Sequence, residues 1–379
     1  MEQKKTTDEW KEYEALRKEP QLRFSEQEKC FYAANYSDVD FFLKSERVTV
    51  DFPFRASRQV FGKTILDSDD EKHLLIKRNL SAFFSKKVVE HYKEHMIRPL
   101  IRDILRECTS ADPENIDYNF LIAQRIPTQV IMQIFGIGLQ HERYLFSHLE
   151  KLILYIDHPS NSLEQANEAR EELISFLRKC LTGEIPVAPQ GILSSLDKDL
   201  YTGEDEVLRT CLMLLTAGMA TTIASLNTML LYVYENIAYL KGIGDDILQL
   251  RRFVEEVIRV EPPLHATIRF VKEDFGHNEV DLRKNDMIKI LLASANRDEQ
   301  KFETPDTLSF SGKKDSGCTF GKGKHACIGS ELAIVELIVF VQELMPYIGR
   351  YEIVLGNNEA EFEGNVIKMF RKINLKKLY

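Results

Sequence analysis

The chain has 379 residues, 44% hydrophobic and 29% charged, with 50 Lys and Arg against 59 Asp and Glu and a net charge of −9. That is an ordinary globular balance, which excludes a disordered or fibrous chain. An acidic chain with no long basic run is also a poor match to nucleic acid. No Pro/Gly/Ser-rich linker, repeat or low-complexity stretch divides it, so a single domain over 1–379 is expected. Six cysteines, at 30, 108, 180, 211, 318 and 327, include no CxxC pair. Free thiols in a reducing cytoplasm are therefore expected. The first twenty residues are mostly charged and hold no signal-peptide core. Uninterrupted apolar stretches such as 211–215 fall far short of the ~18 residues of a membrane span, so no membrane partner is expected.

In chain order, residues 7–18 read as a short helix with Asp8 near its start, 30–34 as a strand, and 37–44 as a helix with Ser37 as N-cap. Residues 46–70 have no strong period and contain Pro53 and Gly62, so one long loop is expected. Helices dominate from 70 to 260. Residues 86–107 and 117–136 carry helical apolar spacing, and 140–157 and 163–182 make two more helices. The most apolar helix covers 204–238; both its sides are apolar, so it is expected to run through the core. A helix over 246–260 stops before Pro262-Pro263. Short strands and turns fill 266–292, a strong helix covers 328–346, and the last thirty residues read as strands. The fold class is mainly α with a small β region.

The most informative stretch is Phe320-Gly-Lys-Gly-Lys-His-Ala-Cys327-Ile-Gly329. Cys327 lies just before a helix, whose N-terminal dipole and free N–H groups favour thiolate over thiol. The glycines let the backbone approach something bulky, and His325, Lys322 and Lys324 add positive charge. Taken alone, a buried structural cysteine beside a Gly-rich turn has the same look. At every fixed position, however, the segment resembles the haem loop of the cytochrome P450 family, Phe-x-x-Gly-x-x-x-Cys-x-Gly, with Gly321, His325, Ala333 and Glu336 as common extras.

Other segments carry the same resemblance, over roughly 30–375. Glu256-Val-Ile-Arg259, followed by Pro262-Pro263 and Arg269, resembles the family's buried Glu-x-x-Arg motif and a propionate-binding arginine. Ala295-Asn-Arg-Asp298 and Phe302-x-x-Pro305-Asp306 match later landmarks, and His73-x-x-x-Lys77 resembles a His-x-x-x-Arg propionate segment. Ala217-Gly218-Met-Ala-Thr221-Thr222 is similar to the oxygen-activation segment. Residues 217, 218 and 221 share one helix face, where small side chains admit a planar cofactor and a hydroxyl holds a water. A plain helix-packing face with Thr back-bonding is the alternative reading there.

The sequence also departs from the family pattern. Lys77 stands where arginine is usual and loses the bidentate fork. Gly317 stands where many members carry a propionate-binding histidine, and Gly312 where an arginine often joins the Glu-x-x-Arg pair, a place that Lys313 or Lys314 would have to fill. Ala220 stands where most have an acid before the threonine, which puts the ordinary proton relay in doubt.

The resemblance implies the cytochrome P450 fold and haem b. Cys327 would be the axial iron ligand, and His73, Lys77, Ala217, Gly218, Arg269, Phe320, Gly321, His325 and Gly329 would contact the cofactor. Thr221 and Thr222 would be the catalytic hydroxyls. It implies a monomeric monooxygenase acting on a hydrophobic or amphipathic small molecule of specialised metabolism, with residues 46–66, 155–165 and 264–268 shaping the substrate pocket. Electrons would come from a ferredoxin or flavodoxin with its reductase, steered to Lys86, Lys87, Lys322 and Lys324. Ala220 keeps open a nitric oxide reductase-like or peroxide-using enzyme, and a non-catalytic haem-binding protein is a third possibility.

Overall fold

The computed structural model describes residues 8–310, 317–355, 362–363, 366–370 and 372–378. The helices are α1 (Asp8–Arg17), α2 (Tyr36–Lys44), α3 (Ala56–Phe61), α4 (Glu71–Ser81), α5 (Lys86–Tyr92), α6 (Arg98–Ser110), α7 (Arg125–Phe135), α8 (Glu142–Asp157), α9 (Leu163–Leu181), α10 (Ile192–Ser195), α11 (Glu204–Glu235), α12 (Ile237–Ile243), α13 (Ile247–Val260), α14 (Leu292–Ala295) and α15 (Ser330–Leu344). The strands are β1 (Arg23–Ser25), β2 (Cys30–Ala33), β3 (Val48–Thr49), β4 (Asn115–Asp117), β5 (Ala266–Val271), β6 (Phe275–His277), β7 (Val280–Leu282), β8 (Met287–Leu291), β9 (Tyr351–Leu355), β10 (Phe362–Glu363), β11 (Met369–Phe370) and β12 (Ile373–Lys377). The chain forms two compact units of interleaved stretches. One takes residues up to 52, 66–69 and 251–327; the other takes 53–65, 70–250 and 328 onward.

The first unit is built on a five-stranded sheet in the order β1-β2-β8-β5-β3. Only β2 and β8 pair in parallel. Val39, Phe42 and Leu43 of α2 bury against Ile288 and Ile290 of β8, together with Cys318. Trp10, Tyr13 and Leu16 of α1 form a second cluster with Ala266, Leu291 and Ala293. The Arg297 guanidinium lies 3.6 Å over the Trp10 ring.

The second unit is built around α11, which is buried nearly all round, as its two apolar sides require. The Tyr118 hydroxyl donates to the Leu226 carbonyl at 2.8 Å, satisfying its polar end inside the core. A three-stranded sheet, β4-β12-β9, lies in this unit. Among the described residues α11 is the one helix long and apolar enough to cross a membrane, with a window mean hydropathy of 1.5, and 78% of that window is buried within the structure.

Several local expectations change. The N-cap of α2 is Asn35, whose side chain accepts the Asp38 N–H at 2.8 Å; Ser37 instead donates its hydroxyl to Asn35. Residues 46–70 are not one loop: they hold β3 and α3. The spans 86–107 and 117–136 are each interrupted, by π turns at Lys93–Ile97 and Asn119–Ala123. Gly312, Lys313 and Lys314 lie outside the described residues.

Candidate functional site

In the first unit the cysteine segment folds into a closed loop. The Gly321 N–H donates to Cys318 O at 2.9 Å, Ala326 N–H to Gly323 O at 3.1 Å, and Cys327 N–H to Phe320 O at 2.8 Å. Gly323 has φ +66° and rests on the end of α2: a Cβ there would lie 2.9 Å from the Leu43 carbonyl. Cys327 is the exposed member of the six cysteines; the others are buried or half-buried. Burial pushes the Cys30 and Cys211 thiols up to about 12 and that of Cys180 up to about 11, and it also raises Cys108. Those thiols stay protonated near neutrality, and a metal ligand must be a thiolate. Chain order puts Cys327 three residues before α15, whose Gly329 cap offers no side chain to the first-turn N–H groups.

A buried polar network holds this loop. Arg259 donates to both Glu256 oxygens at 2.9 Å, and to the carbonyls of Asn296 at 2.8 Å, Pro305 at 2.9 Å and Thr307 at 2.9 Å. Glu256 also accepts the Ser309 N–H at 2.8 Å. Asn296 carries the network onward: its Oδ1 accepts the Cys318 N–H at 2.6 Å and its Nδ2 donates to the Thr319 hydroxyl at 2.9 Å. This accounts for Gly317, one of the departures. It has φ +66°, and a Cβ would lie 2.3 Å from Asn296 Oδ1, so a histidine cannot stand there without breaking the Asn296 bonds.

The other predicted residues of this unit are placed as follows. Arg269 sits in β5 opposite Ile288, with a buried side chain whose guanidinium donates to the Ile268 carbonyl at 2.9 Å. Phe320 and Gly321 are half-buried in the loop. His325 is half-buried, its Nε2 2.8 Å from Asp69 Oδ1. Lys322 donates to Tyr36 Oη at 2.5 Å and Asp40 at 2.9 Å, and Lys324 donates to the Asp69 carbonyl. Both lysines are thus committed to internal carboxylates or carbonyls, which weakens their expected part in docking a redox partner. Asp69 and Asn296 had no assigned contact role from sequence. An acidic run at 67–70 offers three equivalent carboxylates, and nothing local separates them.

In the second unit His73 and Lys77 lie one turn apart on α4, His73 buried and Lys77 half-buried. Asp70 caps this helix by accepting the His73 N–H at 2.9 Å, and Lys72 pairs with Glu206 of α11 at 2.5 Å. Along the core of α11 the accessible face is Ala217, Gly218 and Thr221, at i, i+1 and i+4, flanked by buried neighbours. Ala220 and Thr222 are buried. The Thr221 hydroxyl makes a long bond of 3.3 Å to Ala217 O, whereas the Thr222 hydroxyl donates to Gly218 O at 3.1 Å inside the packing. Gly218 also serves helix packing, since a Cβ would meet Ile131 of α7 at 3.0 Å. Glu336 on α15 is buried, one of its oxygens has no hydrogen-bond partner, and burial holds its carboxyl well above the usual range.

The first unit thus holds an exposed thiol on a glycine loop, the axial-ligand type of a haem-thiolate centre, and a buried guanidinium; the second holds His73 and Lys77 one turn apart and a small-residue helix face with a hydroxyl. The comparisons agree. The family model described as Cytochrome P450 matches residues 244–347. The chain is 24% identical over 343 residues to cytochrome P450 109 of Bacillus spizizenii, covering 88% of this chain and 82% of that protein. In fold it is similar to the bacillaene polyketide synthase cytochrome P450 PksS of Bacillus subtilis, with a TM-score of 0.86 at 20% identity over 98% and 97% of the two chains. It is also similar to P450BioI in complex with an acyl carrier protein ligated to hexadec-9Z-enoic acid, with a TM-score of 0.84 at 21% identity over 97% and 98%. Family model, curated relatives and fold neighbours all point to the cytochrome P450 family of haem-thiolate monooxygenases.

Proposed function

We propose that this monooxygenase binds haem b through Cys327 and oxidises a hydrophobic or amphipathic small molecule of specialised metabolism. The observation that carries the reading is Cys327 itself, the one exposed thiol, closing its loop on the Phe320 carbonyl. Arg269, His325, His73 and Lys77 supply the N–H donors for the two propionates, as the family resemblance implies. Phe320, Gly321 and Gly329 shape the cysteine loop, and Ala217 and Gly218 leave α11 free of bulk. When bound, the haem supplies the redox chemistry that activates dioxygen, with the thiolate favouring O–O cleavage. Thr221 Oγ1 is the hydroxyl placed to hold a water and pass a proton, because its bond to Ala217 O is long and readily exchanged. Thr222, its hydroxyl bonded to Gly218 O within the core, acts on helix geometry. With Ala220 in place of an acid, the proton reaching Thr221 comes from water or from the substrate.

The substrate class draws support from the relatives: one belongs to a polyketide synthase, another is seen with a carrier-bound fatty acid. A ferredoxin or flavodoxin would supply electrons. Residues 72–102 carry eight Lys or Arg against two Asp or Glu in a chain of net charge −9, and Lys86 and Lys87 are exposed. An acidic partner is steered to such a stretch. The interleaved course of the chain supports one folding domain, because neither unit is a continuous segment. Ala220 favours a second reading, nitric oxide reduction or peroxide use. Turnover is to be measured with a ferredoxin system, with peroxide, and with NADH alone under anaerobic nitric oxide. Product formed with ferredoxin and dioxygen is expected; activity confined to either other condition would overturn the monooxygenase reading.

A further inference from the structure

Asp69 gathers donors from two distant parts of the first unit. Its Oδ2 accepts the Thr49 hydroxyl at 2.6 Å and the Val50 N–H at 2.9 Å, at the end of β3. Its Oδ1 lies 2.8 Å from His325 Nε2 and 3.8 Å from Lys324 Nζ, and its carbonyl accepts from Lys324. A carboxylate only accepts, so Nε2 is the protonated, donating nitrogen of this pair. Burial alone would raise the Asp69 carboxyl; the bonds from His325, Thr49 and Val50 outweigh it and hold the group well below the usual carboxylate range. The loop is pinned separately at its other end, by Lys322 on Asp40 and by Gly323 against Leu43. Asp69 therefore governs the 324–325 end of the loop, two residues from Cys327.

We propose that Asp69 is a positioning residue for the cysteine loop: it takes the Nε2–H of His325, so that Nδ1 is the ring atom committed to the cofactor. The proposal rests on the reading of 318–327 as the haem loop. It assigns Asp69 no contact with haem; the residue acts through His325 and ties the loop to β3.

The test is a double-mutant cycle of Asp69→Asn, His325→Gln and the pair, read as the rate of haem transfer to apomyoglobin. Asp69→Asn keeps the side-chain size but turns an amide N–H toward donors. It is expected to speed haem loss on the order of ten- to a hundredfold, the loss of one charge-assisted bond. If Asp69 acts through His325, the double variant loses haem no faster than His325→Gln alone. Additive effects would make Asp69 a general strut and overturn the proposal. Independently, in the haem-free protein the His325 Nε2–H should give a slowly exchanging nitrogen-15 signal that disappears in Asp69→Asn; its survival there overturns the proposed contact. Absence of a thiolate band in the reduced, carbon monoxide-treated parent would instead overturn the haem reading, and the haem-free spectrum would still decide the role of Asp69.

Discussion

Arg259→Lys keeps the charge of the buried Glu-x-x-Arg pair and removes its fork. The guanidinium satisfies five close acceptors at 2.8–2.9 Å, two on Glu256 and the carbonyls of Asn296, Pro305 and Thr307, with the Thr304 carbonyl farther off at 3.4 Å. An ammonium has three donors, so at least two acceptors lose their partner in a site where Arg259 is 1% exposed. At about 1.5–3 kcal/mol for each hydrogen bond to a charged group, the loss is about 3–6 kcal/mol. Against a typical total of about 5–15 kcal/mol, this leaves a marginal protein. Urea unfolding followed by far-ultraviolet circular dichroism should show a lower midpoint with unchanged slope. Because Asn296 carries the network to the Cys318 N–H and Thr319, haem absorbance should be lost at lower urea than the helical signal. A shift within about 0.5 kcal/mol of the parent, the range of an ordinary surface change, would refute the reasoning.

Thr221→Ala should cost little stability, about 0.5 kcal/mol, because its bond to Ala217 O is 3.3 Å long. It should nonetheless divert reducing equivalents to peroxide and lower product per NAD(P)H; unchanged coupling would make the hydroxyl a packing group. Gly323→Ala should be more destabilising in thermal unfolding than Gly321→Ala. Both positions have positive φ, worth about 1–2 kcal/mol, but a Cβ at 323 also meets Leu43 O at 2.9 Å while at 321 nothing lies nearer than 3.7 Å; equal losses would count against the close approach to α2. Glu336→Gln should stabilise the protein at pH 7–8. Its carboxyl is raised above the ordinary 4.5 in the fold, so the folded state binds the extra proton and stability falls as pH rises above that value. The gain should shrink toward pH 4.5, and a pH-independent gain would show that charge burial is not its cause.

Much of this architecture was legible in the sequence because its signals are local. The long helices show a 3.6-residue period, and the cysteine loop shows fixed glycine spacing. What escaped depends on distant partners. Asn35 and Ser37 are both good caps, and only the folded geometry selects Asn35. The two-residue β3 exists because it pairs with Phe270 and Val271. Lys322 and Lys324 look like free surface charge until Asp40 and Asp69, far away in sequence, are brought beside them. The face of α11 was predicted from spacing, yet only burial separates Thr221, on the accessible side, from Thr222 within the core.

The central claim is that Cys327 is the iron ligand. Its most direct test is the absorption difference spectrum of the dithionite-reduced protein with carbon monoxide, taken on the parent, Cys327→His and Cys318→Ser. The red-shifted thiolate band is expected in the parent and in Cys318→Ser, where the lost thiol is fully buried, and should be absent in Cys327→His. A band that persists in Cys327→His, or disappears in a folded Cys318→Ser, would contradict the account.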